Sequence, residues 1–150
     1  MLFQYGAALA GLVLVTVNPA YRASELGYVL AQSRSVAVFH EHTYRGVRLG
    51  AVSDEALAGS AAGGSPAGLG GLDGLRQVTC LDDWDAVVAE GRSMQVGFPV
   101  VDPDAPCQIQ YTSGTTGHPK GVVVEHRHLA TYTQSFLERH LNSKSSRFHF

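Results

Sequence analysis

Residues Tyr111-Thr112-Ser113-Gly114-Thr115-Thr116-Gly117-His118-Pro119-Lys120-Gly121 place four aliphatic hydroxyls, three glycines and one lysine in a single short stretch. Glycine backbone turns inward and approaches a ligand closely, so its N–H groups can face an anion. Hydroxyls add donors, and Lys120 adds a compact positive charge suited to phosphate. The chemistry such a set can perform is to surround an anion such as phosphate.

The spacing excludes several common loops. A Walker loop requires Gly-Lys-Ser/Thr, whereas Lys120 follows Pro119 and precedes Gly121. The dinucleotide fingerprint begins G-x-G, which Gly114 and Gly117 do not supply. A hydrolase elbow needs a glycine two residues before Ser113, where Tyr111 stands. Residues on both sides are apolar: Cys107–Tyr111 before, and the β-branched Val122-Val123-Val124 after. Both runs read as strands. The expected unit is therefore strand, glycine loop, strand.

The string resembles the signature of the adenylate-forming enzymes, which comprise acyl-CoA synthetases, peptide-synthetase adenylation domains and luciferases. That signature is an aromatic residue followed by Thr-Ser-Gly-Ser/Thr-Thr-Gly-x-Pro-Lys-Gly, and residues 111–121 match it at every fixed position. Residues 11–26, around Asn18-Pro19-Ala20-Tyr21-Arg22, and residues 80–85, around Trp84, resemble the acyl-CoA synthetase branch. Residues 122–129 look more like the peptide-synthetase branch. Together the resemblance covers most of residues 1–150.

The resemblance implies an ATP-dependent carboxylic acid:CoA ligase. Acyl-adenylate formation is followed by transfer of the acyl group to a thiol. It implies ATP and Mg2+ as cofactors, coenzyme A as co-substrate and a carboxylic acid as substrate. Thr112, Ser113, Gly114, Thr115, Thr116, Gly117 and Lys120 would hold the phosphates. Thr116 and Lys120 are the residues expected to carry catalysis. Thr112 reads equally as phosphate donor or loop prop, Tyr111 as packing, and His118 fills the variable slot. The family's magnesium acid, its ribose aspartate and the lysine of its small C-terminal domain have no counterpart in the chain. Residues 1–150 are thus expected to be an incomplete N-terminal AMP-binding domain, without the small domain and inactive alone. Two alternatives stand beside this reading: a piece of an amino-acid adenylation domain, and a non-catalytic truncated remnant.

Composition narrows the class. The net charge is −2 and charged residues are 16% of the 150, below the roughly 25% usual for soluble domains. No basic patch suggests nucleic acid. Two cysteines, Cys80 and Cys107, are too few for a disulfide scaffold and point to a reducing, cytoplasmic setting. The apolar run 2–17 lacks a positive leader and is short of the about 20 residues of a membrane span. Seven histidines include the alternating pairs His40/His42 and His126/His128, but no cysteine pair lies near either in sequence, so no metal site is expected.

The elements that position the loop follow from periodicity. The expected class is α/β, with mainly parallel strands and flanking helices. A helix is expected over 2–10 and a buried strand over 12–17. A second helix spans 23–33, with Leu26, Val29 and Leu30 on one face, and a strand follows over 36–39. This β-α-β order predicts parallel strands joined by a right-handed crossover. A loop and a helix over 53–58 come next, then a flexible Gly/Ala-rich loop over about 59–74. The remainder reads as strand 75–81, helix 82–90 with Trp84, Val87 and Val88 on one face, and loop 91–106. Strand 107–111, the glycine loop, strand 121–125 and a helix over about 126–140 complete the chain.

Overall fold

The computed structural model describes residues 2–61, 71–94, 96–112 and 118–141. The elements are α1 (Leu2–Leu9), β1 (Leu14–Thr16), α2 (Ala23–Ser33), β2 (Ala37–His40), β3 (Thr43–Tyr44), β4 (Val47–Arg48) and α3 (Leu49–Ala61), continuing with β5 (Gln77–Cys80), α4 (Trp84–Ser93), β6 (Pro106–Thr112), β7 (Lys120–Glu125) and α5 (His126–Leu141). A 3-10 turn, Leu81–Asp83, leads into α4. The mixture is the α/β class expected. The chain divides into two compact units: residues 1–14, 98–110 and 122–150 form one, and residues 15–97 and 111–121 the other.

In the second unit, α2 forms where the sequence supplies a start and a stop. The Asn18 side chain accepts the Ala20 N–H at 3.0 Å, turning the chain after β1. Glu25 then accepts the backbone N–H of Arg22 at 2.9 Å, which satisfies one donor at the helix entrance. At the far end Arg34 is left-handed, with φ 54°. Its N–H bonds the Ala31 carbonyl, and the Ser35 N–H bonds that of Leu30. This is a Schellman ending with arginine where glycine is usual.

The expected face of α2 is the buried one. Val29 is completely buried, and Leu26 and Leu30 join Ala56 of α3 in the core, flanked by Val17, Val38, Val52 and Leu72. Each fully buried leucine is worth about 1.5–3 kcal/mol. The Leu72 N–H donates to the Ser60 hydroxyl at 3.0 Å, tying the residues after the Gly/Ala-rich stretch to the end of α3.

Strands β2 and β5 pair in parallel, with His40 opposite Cys80. The Arg76 N–H extends the ladder to the Val36 carbonyl at 2.8 Å. The three-stranded sheet has the order β1-β6-β7, and β2 pairs with β5. A β-α-β order specifies that a crossover exists but not which later strand takes the vacant edge.

Between β2 and α3, where a loop is expected, the chain makes a short hairpin. Tyr44 faces Val47 across a two-residue turn, Arg45 and Gly46, at φ 48° and 82°. Two positive φ values give a turn whose twist matches the strands. Helix α3 then starts at Leu49, before the expected 53, and runs through Ala61. Residues 59–61 of the expected flexible loop are therefore helical, and residues 62–70 lie outside the described residues. In α4, Trp84, Val87 and Val88 are the half-buried positions, as their spacing requires.

In the first unit, α1 ends in a second Schellman motif. The Gly11 N–H bonds the Ala8 carbonyl, and the Leu12 N–H bonds that of Ala7. Gly11 has φ 68°, and a Cβ there would meet Pro99 Cγ at 3.2 Å. Both conformation and space favour glycine at this position. The first donors of α5 are taken by a preceding turn: the His126 N–H bonds the Ala105 carbonyl, and the Arg127 N–H that of Pro103. The Arg127 guanidinium also pairs with Asp104, and its Nε lies 3.5 Å from Glu125.

Candidate functional site

Strands β6 and β7 bracket the glycine loop as expected. Residues 113–117 lie outside the described residues. The placements of Ser113, Gly114, Thr115, Thr116 and Gly117 are therefore not part of the geometry, whereas Tyr111, Thr112, His118, Pro119 and Lys120 are.

The two strands run in opposite directions. Cys107 Sγ donates to the Val124 carbonyl at 3.3 Å, and the Thr112 hydroxyl reaches the Lys120 carbonyl at 3.5 Å. As residue number rises along β6, its partner's number falls along β7. Thr112, the last residue of β6, thus stands beside Lys120, the first of β7. Both are exposed. A hydroxyl and an ammonium are presented to solvent where the chain enters and leaves residues 113–117.

Helix α2 supports both ends of this stretch. The Tyr111 phenol donates to the Val29 carbonyl at 3.5 Å. Burial raises the phenol's pKa above its ordinary 10.0, and the neighbouring Tyr28 and Tyr21 raise it further; a hydrogen bond with Ser33 opposes them. Tyr111 is thereby a neutral packing group. After the loop, the His118 ring stacks on Tyr28, with centroids 4.8 Å apart and planes inclined by 17°. Tyr28 is buried and accepts a hydrogen bond from Gln32 at 2.8 Å. The variable slot of the pattern is therefore occupied here by an anchor.

Sequence reasoning missed two features. An apolar cleft of about 360 Å³ in the first unit is lined by Tyr5, Leu9, Phe98, Pro99, Val101 and His126. The His126 Nε2 is enclosed there and makes no hydrogen bond among the described residues. In the second unit, His42, Cys80 and Asp82 each offer a donor atom to one cluster. His42 is far from Cys80 and Asp82 in sequence, so no spacing rule links all three.

The model of the AMP-binding enzyme family matches residues 1–148. The chain belongs to that family. A 3-methylmercaptopropionyl-CoA ligase of Ruegeria lacuscaerulensis is 31% identical over 139 residues, covering 88% of this chain and 23% of the relative. The long-chain-fatty-acid–CoA ligase FadD13 of Mycobacterium tuberculosis is 32% identical over 137 residues, again 88% of this chain and 23% of the relative. Among solved structures, a complex of VinN with 3-methylaspartate superposes with a TM-score of 0.63 at 22% identity, over 93% of this chain and 33% of that one. That last likeness concerns the fold. The chain spans about a quarter of the length of the curated relatives it matches. Among the described residues, no helix is long and apolar enough to cross a membrane.

Proposed function

We propose that the chain is the phosphate-loop portion of an ATP-dependent carboxylic acid:CoA ligase. The observation that carries this reading is the complete signature at residues 111–121 set between β6 and β7, with Thr112 and Lys120 at its two ends. The acyl-CoA ligase names of the relatives support the same acceptor and substrate class.

In the first half-reaction a carboxylate oxygen attacks the α-phosphorus of ATP. The bond to the bridging oxygen breaks, and pyrophosphate leaves with that electron pair. Ser113, Thr115 and Thr116 donate hydrogen bonds to the β- and γ-phosphates. Gly114 and Gly117 contribute backbone N–H groups. Lys120 balances the charge that grows on the leaving pyrophosphate, and Thr116 and Lys120 thereby stabilise the transition state more than the bound nucleotide. Thr112 either donates to phosphate or holds the strand ends together, and its contact with the Lys120 carbonyl favours the second role. In the second half-reaction the thiol of coenzyme A takes the acyl group from the adenylate and AMP leaves. The residues of 111–121 include no carboxylate, so this loop does not form a cage for magnesium. When bound, Mg2+ would neutralise phosphate charge.

The 150 residues alone are proposed to be inactive, because they offer only the phosphate side of the site. The experiment is acid-dependent ATP–pyrophosphate exchange, run on the chain alone and on the reading frame that contains it. The expected result is no exchange by the first and exchange by the second across a panel of carboxylic acids. Exchange by neither, or exchange that ignores the acid, defeats the ligase reading; exchange by the chain alone defeats the proposed inactivity.

A further inference from the structure

Parallel pairing of β2 with β5 sets His40 opposite Cys80. Two residues beyond the ends of these strands, His42 comes to the side of Asp82. The His42 carbonyl accepts the Leu49 N–H at 3.1 Å, closing the base of the β3–β4 hairpin, and Asp82 sits within the 3-10 turn that follows β5. One ligand atom each from His42, Cys80 and Asp82 lies within 4.8 Å of the other two. His42 Nδ1 is 3.9 Å from Asp82 Oδ2, and both side chains are more than half exposed.

We propose that His42, Cys80 and Asp82 form a zinc-type metal site at the ends of β2 and β5. Imidazole nitrogen, thiolate sulfur and carboxylate oxygen together are a borderline-soft donor set, which suits Zn2+ and disfavours Mg2+ or Ca2+. Bonds of about 2.0–2.3 Å to a tetrahedral ion place its ligands roughly 3.5 Å apart. The three donors therefore need only to draw together slightly, and the exposed His42 and Asp82 side chains have room to do so. Three protein ligands leave the fourth position to water. On binding, Cys80 gives its thiol proton to solvent and coordinates as the thiolate. The bound ion would staple the hairpin base to the turn before α4. An exposed His–Asp ion pair, the plainer account of the 3.9 Å contact, gives the half-buried Cys80 sulfur no role.

The test is independent of the reading of residues 111–121, because it needs no catalytic activity. The tag-free 150-residue chain is titrated with Co2+, and then with Zn2+ as competitor. One equivalent of Co2+ should bind with a thiolate-to-cobalt absorption band, and Zn2+ should abolish the band. Mg2+ in excess should not compete. Cys80→Ser should remove the band, while Cys107→Ser, which alters the other cysteine, should keep it. His42→Ala and Asp82→Asn should each weaken Zn2+ by at least about tenfold, a loss that even supporting partners of a metal cause. Far-UV spectra matching wild type show that the variants fold. A wild-type chain without saturable binding, a band that survives Cys80→Ser, or unchanged affinity in His42→Ala and Asp82→Asn overturns the site.

Discussion

His118 lies flat on Tyr28, and this stack joins the residue after the glycine loop to the buried face of α2. An aromatic pair of this kind contributes about 0.5–1.5 kcal/mol beyond its buried area. His118→Ala and Tyr28→Leu should therefore show a coupling of that size in a double-mutant cycle read by denaturant unfolding. Purely additive effects would mean that the two rings are neighbours without being partners.

Tyr111 gives a prediction about alkaline stability. Burial raises its folded-state pKa above 10.0, so the folded chain holds the phenolic proton more tightly than the unfolded chain does. That contribution is fully present below about pH 10, the unfolded value, and is lost as pH rises through the higher folded one. Tyr111→Phe should flatten the fall in unfolding free energy above pH 10. At neutral pH it should change stability by roughly 1 kcal/mol or less, since the bond to the Val29 carbonyl is long. An unchanged alkaline limb would show that Tyr111 does not titrate with folding.

In the proposed ligase, Lys120→Ala and Thr116→Val should lower the adenylation rate by about 10–1000-fold, the range for losing one preorganised donor. ATP affinity should change less, because the charge they meet develops during the reaction. Pre-steady-state adenylate formation and nucleotide binding, measured side by side, separate the two effects. Turnover at wild-type level in both variants would mean that the loop has been assigned the wrong task.

The acceptor is decided by offering coenzyme A and a carrier protein together and weighing the thioesters formed. Residues 11–26 and 80–85 resemble the acyl-CoA branch, and residues 122–129 the other, so coenzyme A is expected to win. Thioester on the carrier alone, bearing an amino acid, would reverse that order.

The left-handed Arg34 at the end of α2 costs about 1–2 kcal/mol that glycine avoids. Glycine loses about 0.5–1 kcal/mol through the freer unfolded chain. Arg34→Gly should thus stabilise the fold by up to about 1.5 kcal/mol, seen as a higher unfolding midpoint. A lower midpoint would mean that the arginine side chain makes contacts worth more than the strain.

Local signals were legible and long-range choices were not. Helix α2 lies where Leu26, Val29 and Leu30 placed it, because a 3.6-residue stripe and an Asn-Pro turn are both written in adjacent residues. The strands before and after residues 113–117 were legible from their apolar runs. The partner of β2 was not, because Ala37–His40 is equally apolar whether it pairs with β1 or with β5. The hairpin at 43–48 escaped because its strands are two residues long and its turn is Arg-Gly in place of Asn-Gly. Helix α3 was read too short because its run of Ala, Gly and Ser shows no strong apolar stripe. The His42–Cys80–Asp82 cluster is a product of register. Only the β2–β5 pairing brings residues 42 and 82 together.

Trp84 is the chain's single tryptophan. It is half-buried at the first turn of α4, directly after the turn that carries Asp82. Its fluorescence is consequently a label already in place, reporting one location without any chemical dye. Emission spectrum, quenching by iodide and lifetime all read the surroundings of this indole. Energy transfer from Trp84 to an absorbing ion such as Co2+ would turn the spacing between α4 and that ion into an optical ruler.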